Sequence, residues 1–318
     1  MQFYFAPMEG VTGSLYLRCH QEHFPGIDRY YIPFLEPREG KCFDGRDRHE
    51  VDPSENKGIP VVPQLLTNRA DRFLDGTRRL ADLGYREVNL NLGCPARTVV
   101  TRGKGCGFLE KPEELERFLD EIFQQSPLPI SIKTRLGLEE EEEFEGLLAL
   151  YRKYPMTELI VHARLLKDQY KGPVRWETFG KALEDAPWPV CYNGDLFSAA
   201  DYQRFTEAFP AVDRLMLGRG LIGNPGLVRE IKEGRAVTRT ELKAFHDDLF
   251  GRYRAYLSGD RNVLCWMKEL WFYMICLFPE SAKEAKAIRK AQRVSDYQDA
   301  VNRLFEMREL ATEPGYQR

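Results

Sequence analysis

The sequence predicts an α/β protein: a (β/α)8 TIM barrel over residues 1–237, followed by a smaller all-helical C-terminal domain over 238–318. Three observations predict it. Eight short apolar or alternating runs follow one another at 3–8, 30–35, 59–66, 87–93, 130–135, 159–163, 190–193 and 214–218. Segments of helical period lie between most of them, as at 70–83, 112–125, 145–154 and 199–209. The pattern then turns wholly helical after Gly234. Strands alternating with helices require parallel pairing and crossover helices. Eight such units fit a closed barrel better than a doubly wound sheet. An open dinucleotide-binding sheet wants G-x-G-x-x-G after its first strand. Here the first strand ends in Ala6-Pro7-Met8-Glu9-Gly10, and the glycine-dense loop 103–107 follows the fourth.

In a barrel of this kind, residues at the C-terminal strand ends build the active site. The first strand ends in Pro7, Met8 and Glu9, and the third carries Gln64. The fourth ends in Asn91-Leu92-Gly93-Cys94-Pro95. Gly93 allows a sharp turn and Pro95 blocks the ladder, which places the Cys94 thiol at the rim. A small hydrophobe filling a strand end is the competing reading. The fifth strand carries Lys133 and Arg135. A lysine inside an apolar strand needs an anion or a carbonyl, because burying it alone is costly. A carboxylate would serve, as would a cofactor with delocalised negative charge such as a reduced flavin. The sixth carries His162; a lone strand histidine is more often a satisfied core residue, so it counts only together with the others. Asn193-Gly194-Asp195 ends the seventh and Gly218-Arg219-Gly220 the eighth. Loops after these two strands frequently bind phosphate in this fold. Small residues, free N–H groups and one guanidinium suit that task.

Thr238-Arg239-Thr240-Glu241 reads as a capping box that opens the helical region. Turn signals at Ser258-Gly259-Asp260 and at Pro279 divide it into three or four helices. Trp266, Trp271, Phe272 and Tyr273 read as its core rather than as a stacking platform. Lys283, Lys286, Arg289, Lys290 and Arg293 fall within eleven residues holding one acid, Glu284. At helical spacing Lys286, Arg289, Lys290 and Arg293 line one face. The acidic run 139–143 reads as a solvated loop or helix start.

Composition excludes several classes. Hydrophobic content of 43% with 30% charged residues is that of an ordinary soluble globular protein. The N-terminus has no basic or long apolar segment, and the apolar block 271–278 is too short to span a bilayer. No membrane association is expected. Seven cysteines, odd in number and without paired spacing, predict a reducing cytoplasm. No cysteine spacing resembles a zinc site and the five histidines do not cluster with the cysteines, so no metal is expected. A net charge of −3 does not exclude a nucleic-acid partner, because the local field attracts phosphate.

The motifs together resemble the tRNA-dihydrouridine synthases. The matching residues are Ala6-Pro7-Met8-Glu9-Gly10-Val11-Thr12, Gln64, Asn91-Leu92-Gly93-Cys94-Pro95, Gly105-Cys106-Gly107, Lys133-Thr134-Arg135-Leu136-Gly137, Val161-His162-Ala163-Arg164, Asn193-Gly194-Asp195 and Gly218-Arg219-Gly220. They stand in the family's order from residue 6 to 220. Two positions depart from it: Ala163 replaces a common glycine, and Cys106 a small residue. The resemblance implies FMN, reduced by NADPH or NADH, and reduction of the 5,6 double bond of a uridine in tRNA. Cys94 is then the proton donor to C5, which suits a thiol that is protonated at neutral pH yet able to donate. Asn91 orients the uracil. Pro7, Met8, Glu9, Gln64, Lys133 and His162 serve the flavin, with Asn193, Gly194, Asp195, Gly218 and Arg219 at its phosphate. Arg97, Arg102, Lys104 and Arg135, with Lys286, Arg289, Lys290 and Arg293, are the candidate tRNA contacts. A monomer is expected.

Two other classes fit parts of the pattern. A flavin barrel acting on a free pyrimidine, of the dihydroorotate type, would need neither the helical tail nor its basic face. A non-redox phosphate-binding barrel, or a tRNA-binding protein without catalysis, would not need Cys94 and Lys133. Neither the uridine position nor the choice between NADPH and NADH is written in any motif.

Overall fold

The computed structural model describes residues 1–40 and 42–311, so the last seven residues of the expected helical region, 312–318, lie outside it. Eight parallel strands close into a barrel in chain order. They are β1 (Gln2–Phe5), β2 (Arg29–Leu35), β3 (Val61–Leu65), β4 (Val88–Leu92), β5 (Ile130–Gly137), β6 (Leu159–Leu165), β7 (Val190–Asn193) and β8 (Arg214–Leu217). Every expected strand is present. β1 is shorter than expected and stops before Pro7, which has no N–H to donate. β5 and β6 run further, with a register shift between Arg135 and Gly137. Gly137 has φ +153°, a backbone state that L side chains rarely adopt.

Amphipathic helices cover the strands. Ala70–Asp82 buries Phe73, Leu74, Thr77 and Leu80, a stripe of helical period. Pro112–Gln125 opens with proline in its first turn, followed by Glu113 and Glu114. Proline is tolerated there, and the acids favour the helix dipole. Its buried face is Leu115, Phe118, Leu119 and Ile122. Each such apolar side chain contributes about 1.5–3 kcal/mol on burial. The acidic run closes loops: Glu143 accepts N–H groups of Leu138, Glu139 and Glu140.

Alternate residues point into the barrel. Tyr4, Ala6, Tyr31, Val62, Ile160, Cys191 and Met216 pack there as one buried cluster. At the N-terminal end of β6 lies Glu158, 1% exposed. It accepts hydrogen bonds from Tyr4, Tyr31 and Arg214.

The chain divides into two compact units. One comprises Met1–Pro7, Asp28–Gly194 and Phe209–Met216; the other comprises Met8–Ile27, Asp195–Ala208 and the chain from Leu217 onward. The second is largely helical. Thr238 and Glu241 form the expected capping box at the start of helix Arg239–Tyr256. Helices Asp260–Met274, Ala282–Lys290 and Val294–Met307 follow. Trp271 is buried and donates to the Tyr297 hydroxyl at 2.8 Å, as expected of a core residue. Phe272 departs from that expectation, being 64% exposed. Among the described residues no helix is long and apolar enough to cross a membrane.

Candidate active site

The C-terminal end of β4 is built around one asparagine. Asn91 Oδ1 accepts the backbone N–H groups of Gly93 (3.0 Å) and Cys94 (2.9 Å). Its amide nitrogen donates to Gln64 Oε1 at 2.7 Å. Gln64 donates in turn to Asn89, and Asn89 to Ser131. Four polar side chains on β3, β4 and β5 thus satisfy one another inside the barrel, as burial requires. Asn91 is first of all the brace of the Cys94 turn.

The glycine-rich segment completes that brace. Cys106 N–H donates to the Cys94 carbonyl at 3.1 Å. Gly105 has φ +55°, and a Cβ there would lie 2.9 Å from the Cys94 carbonyl oxygen. Glycine is therefore required for the loop to approach Cys94 this closely. The two cysteines differ in kind. Cys94 is partly exposed, whereas Cys106 is fully buried. Burial pushes the Cys106 thiol up to about 12.

Lys133 pairs in register with Asn91. Among the described residues its ammonium has neither a hydrogen-bond nor an ion-pair partner. Burial, reinforced by Arg135, lowers its pKa to about 8. His162, 8% exposed, accepts from Arg164 at 3.3 Å. Asn193 donates to the Met216 carbonyl at 2.7 Å, tying β7 to β8. A Cβ at Gly194 would meet the Tyr192 hydroxyl at 2.0 Å, so no side chain fits there.

Arg135 requires a correction. Expected to grip RNA, it is fully buried, so its reach to a surface phosphate is closed. Its guanidinium donates to the carbonyls of Gly93, Leu165 and Gln169. It thereby holds together the loops after β4 and β6, beneath the ring of Tyr170. Nη2 is left buried without a hydrogen bond.

In the second unit, Met8 is used within its own turn: its N–H donates to Thr12, and its carbonyl accepts from Val11 and Thr12. Glu9 is exposed. Arg219 donates to Asp195 at 2.6 Å, and both side chains are largely buried. A Cβ at Gly220 would lie 2.2 Å from the Leu196 carbonyl oxygen, so the turn opened by Gly218 needs that glycine. Asp195 thereby orients the Arg219 guanidinium.

The expected basic face is split. Helix Ala282–Lys290 ends where Ala291 turns extended (φ −54°, ψ 132°), and Arg293 is the N-cap of the next helix. Four exposed cations remain there, and Lys286, Arg289, Lys290 and Arg293 have no ion-pair partner among the described residues. Arg97 and Arg102 are exposed, whereas Lys104 is already paired with Glu36 at 2.8 Å. One grouping escaped the sequence reading altogether: Cys19, His23 and Asp248 lie together in the second unit. Cys19 and His23 are four apart, which could have signalled it, but Asp248 is distant in sequence.

Comparison with known proteins identifies the family. Residues 4–259 match the family model described as dihydrouridine synthase. The chain is 32% identical over 307 residues to a tRNA-dihydrouridine(16) synthase of Aquipseudomonas alcaligenes, covering 92% of this chain and 96% of that protein. A tRNA-dihydrouridine(16) synthase of Pseudomonas syringae pv. tomato is 29% identical over 238 residues, covering 73% and 74%. Among solved structures, morphinone reductase superposes with a TM-score of 0.53 over 74% of this chain and 86% of that one, at 12% identity, a likeness of fold alone. Coverage of nearly the whole length shows that this chain belongs to the dihydrouridine synthase family.

Proposed function

We infer that this protein reduces the 5,6 double bond of a uridine in tRNA, and that the uridine is at position 16. Two relatives matched over most of their length carry that position in their names. The observation that carries the reaction is Lys133: a half-buried cation with no acceptor among the described residues, in register with the residue that braces Cys94.

An FMN cofactor fits the residues present. Lys133 supplies a charged donor that lacks an acceptor, and Arg219, aimed by Asp195, supplies a guanidinium beside a turn where a Cβ would clash. Lys133 and His162, with Gln64, are the ring-side group; Asn193, Gly194, Asp195, Gly218 and Arg219 are the phosphate-side group, and Pro7–Glu9 contribute through their turn. When bound and reduced by NADPH or NADH, the flavin supplies a hydride to C6 of the uracil.

The chain's own work is placement and proton supply. Cys94 gives its thiol proton to C5, so that one hydride and one proton add across the double bond, and solvent reprotonates the thiolate. Asn91 holds the turn that carries the thiol. The target base must leave its stack to reach a barrel mouth. Residues 238–311, with Lys286, Arg289, Lys290 and Arg293, grip the tRNA backbone, helped by Arg97 and Arg102; shape and phosphate contacts dominate such binding.

The deciding experiment purifies the protein, measures bound FMN, and maps dihydrouridine in tRNA from a deletion strain before and after adding protein and NADPH. Dihydrouridine restored at position 16 is expected. A colourless protein that takes up no FMN would overturn the assignment, and activity on free UMP but not on tRNA would replace it with the free-pyrimidine reading.

A further inference from the structure

The structure assigns a second, non-catalytic site to the helical unit: we propose that Cys19, His23 and Asp248 bind one zinc ion. Cys19 and His23 lie one turn apart on helix Ser14–His23, and Asp248 comes from helix Arg239–Tyr256. One ligand atom from each lies within 4.8 Å of the others. Cys19 Sγ is 3.6 Å from Asp248 Oδ2, and His23 Nε2 is 2.9 Å from the same oxygen. Bonds of about 2.3 Å to sulfur and about 2.0–2.2 Å to nitrogen or oxygen set ligand atoms roughly 3.3–3.7 Å apart on a tetrahedron. The sulfur–oxygen edge already meets that spacing, and the nitrogen–oxygen edge has only to open by a few tenths of an ångström.

The chemistry of the set is selective. Thiolate, imidazole and carboxylate suit zinc, whereas magnesium and calcium want oxygen ligands alone. Asp248 and Glu22 are both paired with Arg252. Arg252 Nε remains on Asp248 Oδ1 as an outer-shell partner while Oδ2 turns to the metal. Cys19 is fully buried, and His23 and Asp248 are 25% and 35% exposed, so the open side of the site is formed by the imidazole and the carboxylate. Binding displaces one proton, the one the thiol now directs at Asp248, to solvent. A fourth position is left for water. The bound ion would clamp the first helix of the unit to its longest, at the face where Phe245 packs on Tyr16 and Phe24.

The test uses the full-length protein, stripped by chelation and titrated with Zn²⁺ and with Co²⁺. One equivalent of zinc is expected, with release of one proton, a rise in melting temperature, and a thiolate-to-cobalt charge-transfer band with tetrahedral d–d bands. Cys19→Ser should abolish the charge-transfer band. His23→Gln, which leaves the buried thiol untouched, should weaken zinc by more than the roughly 10–100-fold that loss of an outer-shell partner costs. Failure of the unsubstituted protein to take up zinc overturns the site, as does equal uptake by Cys19→Ser and His23→Gln, which would place the metal on other thiols. Flavin content and dihydrouridine formation are separate readouts, and neither outcome of the zinc titration depends on them.

Discussion

Glu158, just before β6, and Lys133, in the middle of β5 and in register with Ile160, are two ionisable groups drawn into one barrel, one fully buried and one half-buried. Glu158, before β6, is fully answered: two tyrosine hydroxyls and the Arg214 guanidinium meet its oxygens, with Arg29 3.9 Å away. Burial still raises its pKa, and those partners oppose the shift. Lys133, on β5, has no partner among the described residues. The floor charge belongs to the fold and is neutralised by it. The Lys133 charge is left open among the described residues, and a half-buried charge without a partner is one a merely structural residue has no reason to carry. The same contrast separates Cys191, packed in the inner cluster, from Cys94 at the rim.

The largest expected effect tests the mouth. Cys94→Ala should lower dihydrouridine formation by about 10²–10⁴-fold, the usual loss for a general acid, with FMN content and NADPH oxidation unchanged. Cys106→Ala and Cys191→Ala should leave the rate near that of the parent; a parent rate in the Cys94 variant removes it as the donor. Glu158→Ala tests the floor. Stranding Arg214 without its carboxylate should cost about 3 kcal/mol in urea unfolding, while the folded fraction still binds FMN. Loss of FMN without loss of stability would reverse the comparison.

Lys133→Met should act in the opposite sense. Removing the unpaired charge should leave the flavin-free protein as stable as the parent or more so. FMN binding should weaken by about 1.5–3 kcal/mol, the worth of a charged hydrogen bond, measured by fluorescence quenching. A smaller effect follows from pH. The folded lysine titrates near 8, whereas the unfolded one titrates near its ordinary value of about 10.4. Between these values the unfolded chain holds more protons, so the flavin-free protein gains stability as pH rises through that window. An acceptor on the ammonium raises its pKa, so FMN affinity should fall up to about tenfold per unit above pH 8. A flat profile there would mean that Lys133 does not meet the flavin. The smallest effect concerns the tail. Replacing Lys286, Arg289, Lys290 and Arg293 with Ala should weaken tRNA binding and flatten its salt dependence, with about 0.7–0.9 lost from the slope per lost phosphate contact. An unchanged slope would leave the grip to the barrel.

The barrel was legible because eight apolar runs and their punctuation are local signals: Pro7, Gly93 and Pro95 mark ends that the backbone obeys. The strand-end residues were legible because the fold places that edge at the mouth. What stayed hidden was partnership across sequence distance. Arg135 looked like a surface cation, but the carbonyls that bury it come from Gly93, Leu165 and Gln169. The break after Lys290 has no proline or glycine to announce it; Ala291 simply turns extended, its carbonyl taken by Lys268. Asn91 looked like a substrate ligand, yet its carbonyl oxygen serves its own turn and its amide nitrogen donates to Gln64.

The main chain of Cys94 is fastened on both sides: its N–H to Asn91, its carbonyl to Cys106, with Gly105 pressed against it. Its side chain has a single torsion that places the sulfur, the rotation about Cα–Cβ, with three staggered positions. The thiol therefore searches three wells rather than the volume swept by a loop, and the entropy of finding the ring is spent at folding rather than in each turnover.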